Sequence, residues 1–178
     1  EVRAMGYLAD DDRLLADLLS GVDVHSAVAA RLFGENFTAE NRATSKGAVF
    51  CKLYGGSAKK LAAQAGVTEL EAKKAMAALD RSYPRMSRWS SRLIDRARFN
   101  GGHITTPSGR VLPVDRGYEY RLVNHIVQST SADLFKGALI GVSKAGFNQN
   151  LLLPVHDELV CVANREEAEE LGREIAEL

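Results

Sequence analysis

Arg42, Lys46, Phe50 and Tyr54 stand at strict four-residue intervals in the segment that ends at Gly55. On an α-helix this spacing gathers them on one broad face that drifts by about 40° per step and runs for roughly 18 Å. That is the reach of a triphosphate joined to a sugar and a base. A guanidinium offers a bidentate grip on phosphate oxygens and an ammonium a compact charge, while two rings can lie against sugar and base. The pattern points to a nucleoside triphosphate as guest. The competing reading is an ordinary amphipathic helix with Phe50 and Tyr54 in the core and Arg42 and Lys46 in solvent.

A second motif lies far downstream, in Leu153-Pro-Val155-His156-Asp157-Glu158-Leu159-Val160, where an apolar run is interrupted by His-Asp-Glu. Burying a charged Asp-Glu pair within an apolar hairpin is costly, so its presence argues for a task; a plain exposed turn is the alternative. The order Arg-x3-Lys-x3-Phe-x3-Tyr-Gly followed by His-Asp-Glu resembles the fingers helix and the palm motif of family A DNA polymerases, the bacterial DNA polymerase I type. The resemblance spans essentially the whole chain, and its divergent palm helix leans towards a phage member.

The resemblance implies an α+β fold, with a mostly helical fingers module inserted in a palm that carries a small antiparallel sheet, as part of a right-hand polymerase. Residues 1–37 would be partial palm and the start of the fingers, 38–117 the fingers, and 118–178 the palm with its long helix and His-Asp-Glu hairpin. The implied activity is template-directed DNA synthesis, in which nucleotidyl transfer from deoxynucleoside triphosphates to a primer 3′-hydroxyl uses two Mg2+ ions. Asp157 would bind metal, Glu158 would support it, and His156 would sit by the primer terminus. Arg42 and Lys46 would hold the triphosphate, with Lys46 as general acid to the departing pyrophosphate, and Phe50 and Tyr54 would meet the sugar and the templating pair. Glu1 resembles a sugar-gating glutamate that bonds to the tyrosine at Tyr54, and His25 a histidine near the phosphates. Asn124 and Gln128 match a palm helix that reads minor-groove acceptors common to every base pair. Two positions depart from the family pattern: Ser129 replaces a glycine, and Tyr120, with Arg121 beside it, replaces a DNA-contacting arginine.

By the same resemblance the second metal carboxylate lies upstream of Glu1, so the chain is expected to be a piece of a longer enzyme, inactive alone, whose other domains lie outside it. Its expected partners are primer-template DNA and deoxynucleoside triphosphates, with no membrane, in the cytoplasm of a bacterial or phage-infected cell. Two rivals stay open: a non-catalytic DNA-binding remnant, and a metal-dependent phosphohydrolase using His25, His156 and Asp157, which would favour a transition metal over oxygen-bound magnesium.

Composition bounds these readings without choosing among them. The 178 residues are 46% hydrophobic and 26% charged with zero net charge, ordinary values for one domain or two small subdomains. The charges are unevenly spread. Thirteen basic residues between Arg42 and Arg98 face four acidic ones, a module able to track phosphates. The opening (Asp10, Asp11, Asp12, Asp17, Asp23) and the close are acidic, and one such flank could hold metal ions. Two distant cysteines suggest neither a disulfide framework nor a zinc site. No apolar run approaches the roughly 20 residues of a membrane span.

The elements that must position these residues can be read from caps and breakers. A helix opens the chain, Asp10–Asp12 cap the next up to Leu19, and Asp23 starts one that carries His25 to Phe33. Thr38 caps the motif helix, which Gly55-Gly56 ends; Ser57 to Ala65, Glu69 to Tyr83 after a cap at Thr68, and Pro84 to Phe99 follow. Pro107-Ser-Gly109 turns a first hairpin, Tyr118 to Ala145 is a long helix, and a second hairpin turns near His156-Asp157 before an acidic helix from Glu166.

Overall fold

The computed structural model describes residues 1–178, and its helices begin where short polar side chains can satisfy free backbone amides. After α1 (Val2–Ala9), Asp11 caps α2 (Asp12–Leu19) and Asp23 caps α3 (Val24–Phe33). Thr38 caps α4 (Ala39–Leu53) in a reciprocal box with Asn41, and Ser57 caps α5 (Ala58–Ala65). Thr68 and Glu71 box the start of α6 (Glu69–Ser82), and Pro84 occupies the first turn of α7 (Pro84–Phe99). Each cap removes an orphan donor and is worth roughly 1 kcal/mol.

Two starts differ from the sequence reading. A 3-10 turn at Glu119–Arg121 precedes α8 (Leu122–Lys144), with the Glu119 carboxylate accepting the Gly117 amide at 3.1 Å. The last helix, α9 (Ala168–Ala176), begins two residues late because Asn164 to Glu167 form a turn closed by a backbone bond. The strands make two separate antiparallel hairpins. Strand β1 (His103–Thr105) pairs with β2 (Val111–Pro113), and β3 (Leu151–Val155) with β4 (Glu158–Cys161), the latter pair shifting register between Leu151 and Leu153.

The chain divides into two compact units, Glu1–Gln128 and Ser129–Leu178, with α8 running through the boundary. The first unit holds a core that includes Met5, Leu14, Val28, Leu53, Leu79, Tyr83, Met86, Leu122 and Val127, all at most 2% exposed. A satellite of Ala48, Cys51, Leu61, Ala72 and Ala75 packs α4 against α5 and α6. The inner face of α4 is thus fixed from both sides. In the second unit the hairpin leaves Leu152, Leu153, Val155, Val160 and Val162 exposed.

The acidic opening does not form the free carboxylate cluster that its composition allows. Asp10 and Asp12 pair with Arg85, Asp11 accepts the amides of Leu14 and Met86, and Asp17 accepts Tyr83 and Arg31. Those charges are spent on joining α2 to α3 and α7. Arg98 and Lys52 in the basic middle are likewise matched, by Asp95 and Asp80. No helix is long and apolar enough to cross a membrane.

Candidate functional site

Because Thr44, Ser45, Ala48, Val49, Cys51 and Leu53 are buried, the opposite face of α4 is left open, and it is the one that carries Arg42, Lys46, Phe50 and Tyr54. Arg42 and Lys46 are exposed, Phe50 is half-buried against the core, and Tyr54 is 38% exposed. The purely structural reading, with both rings in the core, therefore fails for Tyr54. The Phe50 and Tyr54 rings stack at 6.1 Å with 17° between planes, and the Lys46 ammonium lies 6.0 Å from the Phe50 centroid.

The end of this face is tied to both neighbouring segments. Tyr54 is the C-terminal cap of α4, and its phenol donates to Glu1 at 3.2 Å. Gln128, on α8, also reaches the phenol. Burial pushes the Tyr54 hydroxyl above its ordinary pKa, the Glu1 charge and hydrogen bond add to this, and Gln128 opposes it. Tyr54 stays a neutral donor at physiological pH. Gly55 follows because φ is +64° there, and a Cβ would lie 2.8 Å from the Tyr120 ring and 3.0 Å from its carbonyl oxygen. Only glycine suits that approach.

The other end of the face meets α3. The His25 and Phe50 ring centroids are 5.9 Å apart, and His25 Nδ1 is buried without a partner. Burial lowers the His25 pKa, and the charges of Arg42 and Lys46 lower it further against the pull of Asp23. The ring is therefore neutral at pH 7. Arg42 Nε donates to Asp23 Oδ2 at 2.8 Å and to Ser26 Oγ at 3.2 Å. Sequence reasoning saw Asp23 only as a helix cap; a contact with a residue nineteen positions away leaves no local signal.

On α8, Gln128 is exposed, while Asn124 is half-buried with its Oδ1 unpartnered. Arg121 stacks on Tyr118 at 4.3 Å and lies 5.9 Å from Tyr120, and both rings are exposed.

The second unit carries His156, Asp157 and Glu158, and all three are exposed. The argument that burial makes this acidic pair costly is therefore overturned: a lone two-stranded hairpin solvates its turn, and the carboxylates keep their water. A different constraint replaces it. His156 has φ of +54°, a left-handed conformation at the first residue of a two-residue turn, where glycine is usual. No three His, Cys, Asp or Glu side chains gather into a set able to hold an ion. Asp157, an exposed hard oxygen donor, suits one ligand position of a magnesium ion.

These features belong to a known lineage. A sequence model of DNA polymerase family A matches residues 1–178. A DNA polymerase of Mycobacterium phage D29 is 38% identical over the full chain, and DNA polymerase I of Chloroflexus aurantiacus is 32% identical over 97% of it. The chain covers 30% and 20% of those proteins. Among solved structures, the polymerase domain of Pol1 from M. smegmatis, in complex with DNA primer-template and dNTP, superposes with a TM-score of 0.83 at 29% identity, over 99% of this chain and 34% of that one. With the fold, the α4 face and the whole-length sequence match in agreement, the chain belongs to DNA polymerase family A.

Proposed function

We propose that the chain contributes the nucleotide grip and part of the metal site of a polymerase that extends DNA primers from deoxynucleoside triphosphates. The observation that carries this reading is the α4 face, where two cations and two stacked rings lie in the order of a triphosphate, sugar and base, fastened at one end by Glu1. Arg42 and Lys46 bind the triphosphate, and Lys46 holds the proton that the departing pyrophosphate takes. Phe50 and Tyr54 bound the sugar and the templating pair, and Glu1 fills the space of a ribose 2′-hydroxyl while accepting the Tyr54 hydrogen bond. Asn124, Gln128 and Arg121 face primer-template DNA, and His156 approaches the primer terminus.

Asp157, with Glu158 beside it, would hold magnesium as one ligand among others. Bound there, magnesium would supply the positive charge that acidifies a primer hydroxyl and stabilises a leaving pyrophosphate. The relatives are bacterial and phage polymerases, which fits work in the cytoplasm of a bacterial or phage-infected cell, with the other polymerase domains as partners.

Asp157→Asn in the complete polymerase tests this. The amide keeps the shape and loses the charge, so turnover in magnesium should fall by about a thousandfold or more, as expected from losing several kcal/mol of charge stabilisation, with primer-template affinity unchanged. Near-normal turnover would remove Asp157 from the site.

A further inference from the structure

The polar cluster where α3 meets α4 contains two residues, Asp23 and Ser26, that the nucleotide-binding reading does not use. Asp23 caps α3 with both carboxylate oxygens. Oδ1 accepts the His25 amide at 3.3 Å, and Oδ2 accepts the Ser26 amide at 3.2 Å and the Ser26 hydroxyl. That same Oδ2 accepts Arg42 Nε at 2.8 Å, and the Ser26 hydroxyl oxygen accepts Nε at 3.2 Å. A carboxylate held by two backbone amides has little freedom to swing, so it makes a fixed anchor for the arginine.

The edge of the guanidinium that is anchored decides what remains. Five N–H donors project from the group, one from Nε and four from the two terminal nitrogens. The hydrogen bonds of Arg42 run through Nε alone. A bidentate grip on phosphate can be made with the two terminal nitrogens, so a triphosphate can bind without breaking the anchor. A free arginine side chain carries about 2 kcal/mol of rotamer entropy, and holding it beforehand lowers the cost of binding.

We infer that Asp23 is a positioning residue for nucleotide binding, which clamps Arg42 by its Nε edge and presents the terminal nitrogens to the triphosphate. This rests on the assignment of Arg42 to the triphosphate. The opposite arrangement, a carboxylate that competes with phosphate for the arginine, would require the terminal nitrogens to be the ones engaged.

Asp23→Asn removes the charge of the clamp while keeping a helix cap, because asparagine caps helices about as well as aspartate does. In the complete polymerase, with dissociation constants taken from single-turnover incorporation of a correct nucleotide, Asp23→Asn should raise the nucleotide Kd about fivefold, a coupling usual for residues in contact. Primer-template affinity and melting temperature should not change. In an Arg42→Lys background, where the side chain has no Nε edge, the same substitution should have no effect. An unchanged or tightened Kd for Asp23→Asn, or an equal shift in the lysine background, overturns the inference. If Asp23→Asn lowers the melting temperature, Ser26→Ala removes the hydroxyl that bridges carboxylate and guanidinium, and an unchanged Kd there overturns it too. Arg42→Ala distinguishes the two levels. A Kd unaffected by Arg42→Ala defeats the triphosphate assignment together with this inference, whereas a weakened Kd with a silent Asp23→Asn defeats this inference alone.

Discussion

The α4 face and the His156–Glu158 turn, to which the proposed function assigns the nucleotide grip and a metal ligand, are held in opposite ways. On α4 the functional side chains rest on a helix packed from both sides, and several are already engaged: Arg42 by Asp23, Phe50 by His25 and Tyr54, Tyr54 by Glu1. At the turn Asp157 is exposed, and its setting comes from one left-handed residue between two short strands. A site that grips a flexible triphosphate gains from side chains fixed in advance. A metal ligand needs oxygen lone pairs left free, and a tight turn supplies that by backbone conformation alone.

The largest test of this contrast removes a charge from the rigid face. Lys46→Ala in the complete polymerase should cost about 3 kcal/mol or more of transition-state stabilisation, since a cation aimed at developing negative charge is hard to replace. Single-turnover incorporation measures it. An unchanged rate would make α4 a structural helix and end the comparison.

A smaller effect is expected from loosening the bed beneath α3. Tyr83 is fully buried, donates to Asp17 at 2.9 Å and accepts from Arg31 at 3.2 Å, so it joins α2 and α3 to the corner between α6 and α7. Tyr83→Phe should destabilise the first unit by about 1–2 kcal/mol, the usual cost of leaving buried partners unmatched. Burial, the Asp17 hydrogen bond and the Asp17 charge push the phenol up to about 12, against the pull of Arg31. With a folded pKa above the unfolded value of about 10, this stabilisation is fully present below pH 10 and is lost as pH rises through about 12. Denaturant titrations between pH 9 and pH 12 should show that loss in the parent chain and a flatter curve for Tyr83→Phe. Parallel curves would place the support elsewhere.

The same contrast explains what the sequence disclosed. Caps at Asp23, Thr38 and Thr68 are readable because capping is settled within a few residues, and the α4 face because its period is local. The Asp23–Arg42 and Asp17–Tyr83 contacts span 19 and 66 residues, and no spacing rule reaches that far. The exposure of Asp157 was misread for another reason. An apolar stretch such as Leu151–Val155 reports strand propensity, and burial requires a partner face as well as a neighbouring strand.

The finest test lies at the turn itself. A non-glycine residue with positive φ costs of order 1–3 kcal/mol, and histidine bears it better than most, whereas a β-branched residue bears it worst. Glycine would relieve this strain, but it loses about 0.5–1 kcal/mol to the greater freedom of the unfolded chain. The two terms nearly cancel, so His156→Gly should leave the hairpin within about 1 kcal/mol of the parent, or slightly more stable. His156→Val has no such compensation and should weaken it by at least about 1 kcal/mol. Amide hydrogen exchange across the β3–β4 ladder, at the pairs Val155–Glu158 and Leu153–Val160, reads this directly. The order glycine, histidine, valine would show that backbone conformation sets the turn. Equal protection in all three would mean that His156 is free to leave the left-handed region, so that its φ of +54° does not hold Asp157 in place.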